Sequence, residues 1–222
     1  MASLPRFLYC IFYLVFASSA LKVPVVSAHS FSVKVVSSDG IHLRDMVVYA
    51  TWLDGSKDRV SKQSTIDIRQ KDKGFDPYIG IVEAGTAITF SNLDDITHHI
   101  YSVTGQNRFS YTLKKGEITK EMSVQEPGII AMGCNIHDWM SGYLLVIDTP
   151  YFVMTNEQGL AVLNLNESGK YRVVVWHPQM KERQSRVVSL PQQKELQIKL
   201  TYPMAEIPEQ KGTDDFDFLE GY

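Results

Sequence analysis

From Phe31 onward the chain is a succession of short apolar runs, each stopped by a turn signal, and this pattern restricts the fold more than any other feature. Phe31, Val33 and Val35 alternate with Ser32 and Lys34 ahead of Asp39-Gly40, and the β-branched and aromatic stretch 46–53 ends at Asp54-Gly55. Ile79-Gly80-Ile81-Val82 and Thr86-Ala87-Ile88-Thr89-Phe90, separated by Ala84-Gly85, predict a hairpin. Further strands are expected over 99–103, 108–113, 118–124, 129–133, 143–147, 160–165, 171–176, 186–190 and 195–200. No long stripe of apolar residues at helical period follows residue 28. Many short strands with turns between them point to an all-β chain of sandwiches or barrels rather than to βαβ units.

A length of 222 residues allows one large domain or two small ones, and 44% hydrophobic residues suffice for a packed core. A net charge of −3 without a clustered basic face leaves no footprint for nucleic acid. Six His and two Cys are too few for several metal centres or for a disulfide framework. The segment 204–222 carries Glu206, Glu209, Asp214, Asp215, Asp217 and Glu220 with little to bury, and is read as a disordered acidic tail.

The first 28 residues read as a secretory signal. Arg6 precedes the apolar run 7–17, which is too short to span a bilayer and is followed by small residues. Cleavage fits after Ala20 or after Ala28, and Pro24, which would break the apolar helix, favours Ala28. No later stretch is long enough to cross a membrane, so the expectation is an exported, periplasmic protein. Loss of Arg6 and Lys22 takes the formal charge from −3 to −5, and loss of Cys10 leaves Cys134 as the one cysteine. An unpaired thiol in an oxidising compartment is a buried inert group, an intermolecular disulfide or a metal ligand.

Its neighbours select among these. Cys134, His137 and Met140 form C-x-x-H-x-x-M between a predicted strand ending near Gly133 and another starting at Tyr143. A short loop between strands can turn a thiolate, an imidazole and a thioether toward one point, and that donor set suits copper held by two His and one Cys with a weak axial Met. The second imidazole must come from elsewhere. The pair His98-His99, at the mouth of the strand before 103, is the candidate source. Each residue alone reads more simply as core filler or a polar strand start. The four together, centred on the one exported Cys, favour a metal site.

The loop Cys134-x-x-His137-x-x-Met140 resembles that of the cupredoxins, with the short spacing of amicyanin rather than the longer one of plastocyanin. Phe75-Asp76-Pro77, residues 82–86 and Ile88-Thr89-Phe90-Ser91-Asn92 are similar to the strands before the first copper His in that family. The whole chain is most similar in flavour to exported bacterial methylamine-utilisation-like proteins. The resemblance implies a Greek-key β-sandwich, one type 1 copper, and the ligands His98, Cys134, His137 and Met140. Where cupredoxins commonly have Pro-His-Asn, this chain has Thr97-His98-His99, so His98 takes the ligand place and His99 the Asn place. The family pattern would then join His99 to Asn135, and Trp139 would cover the site. His137, in the middle of the short loop, is expected to hold copper with one ring nitrogen and to leave its other edge open to a partner.

Residues 33–49 resemble the opening strands of a transthyretin-like or carboxypeptidase-regulatory sandwich, and 155–175 resemble its second half. The expected organisation is a signal peptide over 1–28, a sandwich split between 29–60 and 149–203, a cupredoxin domain over 61–148, and the tail. The expected function is electron transfer between redox partner proteins by a blue copper centre. Copper binding as a chaperone or buffer, and a structural sandwich with a silent loop, are the competing classes. An enzyme is not expected, because a multicopper oxidase needs more His and no hydrolytic constellation has a recognisable context.

Overall fold

The computed structural model describes residues 29–55 and 65–208. The signal segment with both cleavage positions, residues 56–64, and all of the acidic tail after residue 208 lie outside the described residues. The described chain opens with β1 (His29–Val36) and β2 (Val47–Trp52). It continues through β3 (Thr65–Lys71), β4 (Gly74–Asp76), β5 (Ile79–Glu83), β6 (Ala87–Asn92) and β7 (His98–Ser102). Then come β8 (Phe109–Leu113), β9 (Met122–Ser123), β10 (Gly128–Cys134) and β11 (Ser141–Ile147). It closes with β12 (Phe152–Met154), β13 (Leu160–Leu165), β14 (Gly169–Trp176), β15 (Gln184–Leu190) and β16 (Glu195–Lys199). The described residues contain no helix, so the fold is all-β.

The strands form four sheets, ordered β13-β1-β16, β12-β2-β14-β15, β5-β11-β10-β7-β8 and β4-β3-β6-β9. One core fills the space between the last two and includes Ile68, Phe90, Ile100, Ile130, Cys134, Met140 and Leu144. Another lies between the first two and includes Phe31, Val48, Leu163, Tyr171, Val173 and Val175. A third cluster, with Val47, Tyr49, Ile81, Leu145, Ile147, Val174 and Trp176, joins β2 and β14 to β5 and β11. This explains the unbroken apolar runs Leu144-Leu145-Val146-Ile147 and Val173-Val174-Val175-Trp176. Alternate side chains along each enter different cores, so both faces of the strand are buried.

The pattern of alternation locates most strands, but two of the expected elements take another form. The expected hairpin of 79–90 is an arch. β5 pairs in parallel with β11, and β6 pairs in parallel with β3 in the facing sheet. The connecting amides of Ala84 and Gly85 are taken by the carbonyls of Ile147 and Val124, and Gly85 adopts the φ of +88° that the turn requires. The second difference is a missing stretch of sheet: of the strand expected over 118–124, Met122–Ser123 and an isolated bridge at Ile118 are paired. Strands β3 and β12 have no expected counterpart; in β3, Gln70 interrupts the inward apolar row of Ile66 and Ile68.

Candidate metal centre

Cys134 ends β10 and pairs with Ile100 of β7, in antiparallel register with Gly133 opposite Tyr101. Residues at alternate positions share a face, so His98 and Ile100 point inward with Cys134 while His99 and Tyr101 face out. After Cys134 the chain turns back, with the Met140 amide donating to the His137 carbonyl at 3.1 Å. That turn drops His137 and Met140 under the end of the sandwich.

The sulfur of Cys134 lies 3.8 Å from Nδ1 of His98 and 3.7 Å from Nδ1 of His137. One donor atom from each of the three residues falls within 4.8 Å of the others, and all three side chains are buried. The two imidazole rings are 4.9 Å apart between centroids. Met140 is 2% exposed and belongs to the same buried cluster as Cys134. His29 instead approaches Ser168, and His177 accepts the Gln179 amide through Nδ1, so neither joins this group.

The electrostatics prepare the sulfur to bind metal. Burial pushes the Cys134 thiol up, but hydrogen bonding to His98 and the backbone amides of His99, Ile136 and His137 outweighs it, and the thiol falls from 9.0 to about 6. Burial likewise lowers His98, and its contacts with Cys134 and Asp94 more than compensate, leaving the imidazole above its ordinary value. A thiolate and two imidazole Nδ1 atoms, with the Met140 thioether in the same buried cluster, are soft and borderline donors, a set that fits a late first-row transition metal.

The outer side of His98 reveals a residue that sequence reasoning missed. Its Nε2–H donates to Asp94 Oδ2 at 2.8 Å, and the same carboxylate accepts the backbone amides of Asp72 at 2.6 Å and Lys73 at 2.9 Å. The signal was the Asp94-Asp95 pair four residues before the histidine, but a loop carboxylate has no face until the tertiary fold assigns one.

Of three further expectations, the pairing of His99 with Asn135 and the cover by Trp139 hold, and the open ring edge of His137 does not. His99 and Asn135 are joined through the backbone, the Asn135 amide donating to the His99 carbonyl at 3.0 Å, while the His99 ring meets Ser110 Oγ at 2.6 Å on the outer face. His137 is 3% exposed, so its ring edge is closed rather than open; Ile136, 53% exposed, is the surface residue of the loop. Trp139 does lie against His137, at 5.1 Å between ring centroids, and its Nε1–H donates to the Lys73 carbonyl at 3.2 Å.

No protein-family model and no curated protein matches this chain. Among solved structures it is similar to a methionine-to-alanine mutant of amicyanin with Cu(I), at 18% identity over 37% of this chain and 82% of that one, with a TM-score of 0.34. It is also similar to a purple cupredoxin from Nitrosopumilus maritimus, at 23% identity over 38% of this chain and 100% of that one, with a TM-score of 0.34. A copper-containing nitrite reductase from Thermus scotoductus aligns at 22% identity over 44% of this chain and 25% of that one, with a TM-score of 0.36.

Proposed function

We propose that this protein is an exported type 1 copper protein that carries single electrons between redox partner proteins. The observation that carries the reading is the buried triad in which the Nδ1 atoms of His98 and His137 flank the Cys134 sulfur at 3.8 and 3.7 Å. With copper bound, the metal would supply a one-electron couple. Cys134, held as thiolate, and the two imidazoles would hold the metal most strongly, with the Met140 thioether as a weaker fourth donor. Burial would keep competing ligands and water away from the centre and hold the donors in one arrangement for both oxidation states.

Residues 61–148 would be the cupredoxin module, inserted into a sandwich made of 29–60 and 149–203, with residues 1–28 removed on export. Ile136 and Trp139 would give the apolar rim at which a redox partner docks, as weak, fast-dissociating encounters require. No residue is assigned a catalytic role. A second reading, copper binding as a buffer without electron traffic, is favoured by one observation, the 3% exposure of His137.

The test is Cu(II) loading of the exported form, followed by visible absorption and electron paramagnetic resonance. An intense thiolate-to-copper band is expected, and Cys134→Ser should abolish it. A colourless complex, or a Cys134→Ser variant that stays blue, overturns the assignment. Electron self-exchange separates the two readings: fast exchange that slows in Ile136→Lys, where like charges must meet, supports the carrier. A blue centre that does not exchange supports the buffer.

A further inference from the structure

The hairpin turn between β3 and β4 has an unusual conformation for its composition. Lys71 pairs with Gly74, leaving Asp72 and Lys73 as the two turn residues, and their φ values are +53° and +55°. A two-residue turn with both central residues left-handed normally takes Asn and Gly, because a side chain there is strained. Strain of this kind persists where the surroundings over-determine the backbone. Here the surroundings are the metal-site residues. The Asp94 carboxylate, its side chain 13% exposed, takes both turn amides on one side and His98 Nε2–H on the other. The carbonyl of Lys73 takes Trp139 Nε1–H, and the Trp139 ring packs on His137. The position of Asp94 is itself set by its amide donating to Asn92 Oδ1 at 2.9 Å.

We propose that the Asp72–Lys73 turn is a positioning bracket that holds both histidines of the metal centre at once, His98 through Asp94 and His137 through Trp139. The proposal rests on the metal-site reading above but is independent of copper and of colour. A carboxylate on the far nitrogen of a metal-binding imidazole fixes ring orientation and tautomer, and losing such a partner lowers metal affinity about 10–100-fold. What the turn adds is a connection between two such supports. If both are anchored on one two-residue element, loosening either anchor frees the turn and weakens the other.

This predicts non-additivity, which independent contacts would not show. Zn(II) affinity would be measured by chelator competition for the wild type, Asp94→Asn, Trp139→Phe and the double variant, since Zn(II) accepts the same His and Cys donors without redox chemistry. Asp94→Asn is expected to bind about 10–100-fold more weakly. Trp139→Phe, which keeps the ring but removes the N–H, should lose affinity as well. The double variant should be little weaker than Asp94→Asn alone. Lys73→Gly, which relieves the left-handed strain and keeps both the amide and the carbonyl, should bind within a few-fold of wild type, and Lys73→Pro should resemble the double variant. If Lys73→Pro does not fold, the cycle between Asp94 and Trp139 still decides. In the copper-loaded protein Asp94→Asn should also raise the reduction potential, because a less basic imidazole disfavours Cu(II). Unchanged Zn(II) affinity in Asp94→Asn, or single losses that multiply in the double variant, overturns the bracket even if the wild type is blue. A colourless wild type that shows the expected Zn(II) pattern overturns the copper reading and leaves the bracket standing.

Discussion

His98 presents Nδ1 to the Cys134 sulfur at 3.8 Å, although 36 residues separate them. The antiparallel pairing of β7 with β10 puts Ile100 opposite Cys134, and His98 two residues earlier on the same face. Each group stabilises the charged form of the other, which gives the metal-free protein a pH dependence. A thiol lowered in the fold to about 6 contributes stability that is complete above its ordinary value of 9.0 and is lost as pH falls through about 6. The raised His98 acts in the opposite sense, contributing below 6.5 and losing that contribution as pH rises through its folded value. Ultraviolet titration of the metal-free thiolate should therefore give a midpoint near 6. In His98→Gln the midpoint should move toward that of a free thiol.

The choice between neighbouring histidines is tested by contrasting variants. His98→Gly opens a cavity beside the sulfur, and external imidazole should restore metal binding and colour. His99→Asn removes a ring that bonds Ser110 outside the core, while the backbone link from Asn135 to the residue 99 carbonyl survives. That variant should keep the metal and shift its spectrum only slightly. The reverse result would move the ligand assignment to His99.

Met140 should tune rather than hold the metal. A thioether is a weak donor to copper, so Met140→Leu should retain copper and become more oxidising, since losing that donation disfavours Cu(II). The exchange nearly conserves volume, so metal-free stability should change by less than about 1.5 kcal/mol. Loss of copper on dialysis would show that the sulfur is a strong donor.

His177 is buried far from the triad in sequence and sheet. Burial pulls it from 6.5 down to about 4, so the fold holds it neutral. Between those values the unfolded chain binds the extra proton, and stability falls as pH drops from 6.5 toward 4, by on the order of 3 kcal/mol. His177→Asn, which can still accept the Gln179 amide, should flatten this part of the pH profile in denaturant titrations. An unchanged profile would assign the acid sensitivity to other groups.

Gln70 is fully buried beside Ile68 on the inner face of β3, and neither amide atom has a hydrogen-bond partner among the described residues. An unmet buried amide destabilises by about 1–3 kcal/mol. Gln70→Leu should therefore raise the denaturant midpoint of the metal-free protein. A lower midpoint would mean that the amide is satisfied by an ordered water.

The local order of residues was enough for the all-β architecture, because a pleated strand with one or two covered faces must write its burial into alternating or continuous apolar runs. It was also enough to single out Cys134, His137 and Met140, since three donors within seven residues need only a short loop to converge. What no local pattern could decide were features created by strands distant in sequence. The stretch 79–90 has the turn and flanks of a hairpin, yet β5 and β6 join different sheets because their pairing partners, β11 and β3, lie elsewhere in the chain. Inward and outward faces alternate along β7, but which face meets Cys134 was set by register with β10, and so the fold distinguishes His98 from His99. The Asp94-Asp95 pair marked a carboxylate near His98 but gave it no partner, and Lys73 carried no local signal, because a carboxylate acquires its partners and a carbonyl its donor only when separate loops are packed at one end of the sandwich. The same packing closes the edge of His137 with Trp139: exposure is a property of what lies over a side chain, and the chain that lies there is brought by the tertiary fold.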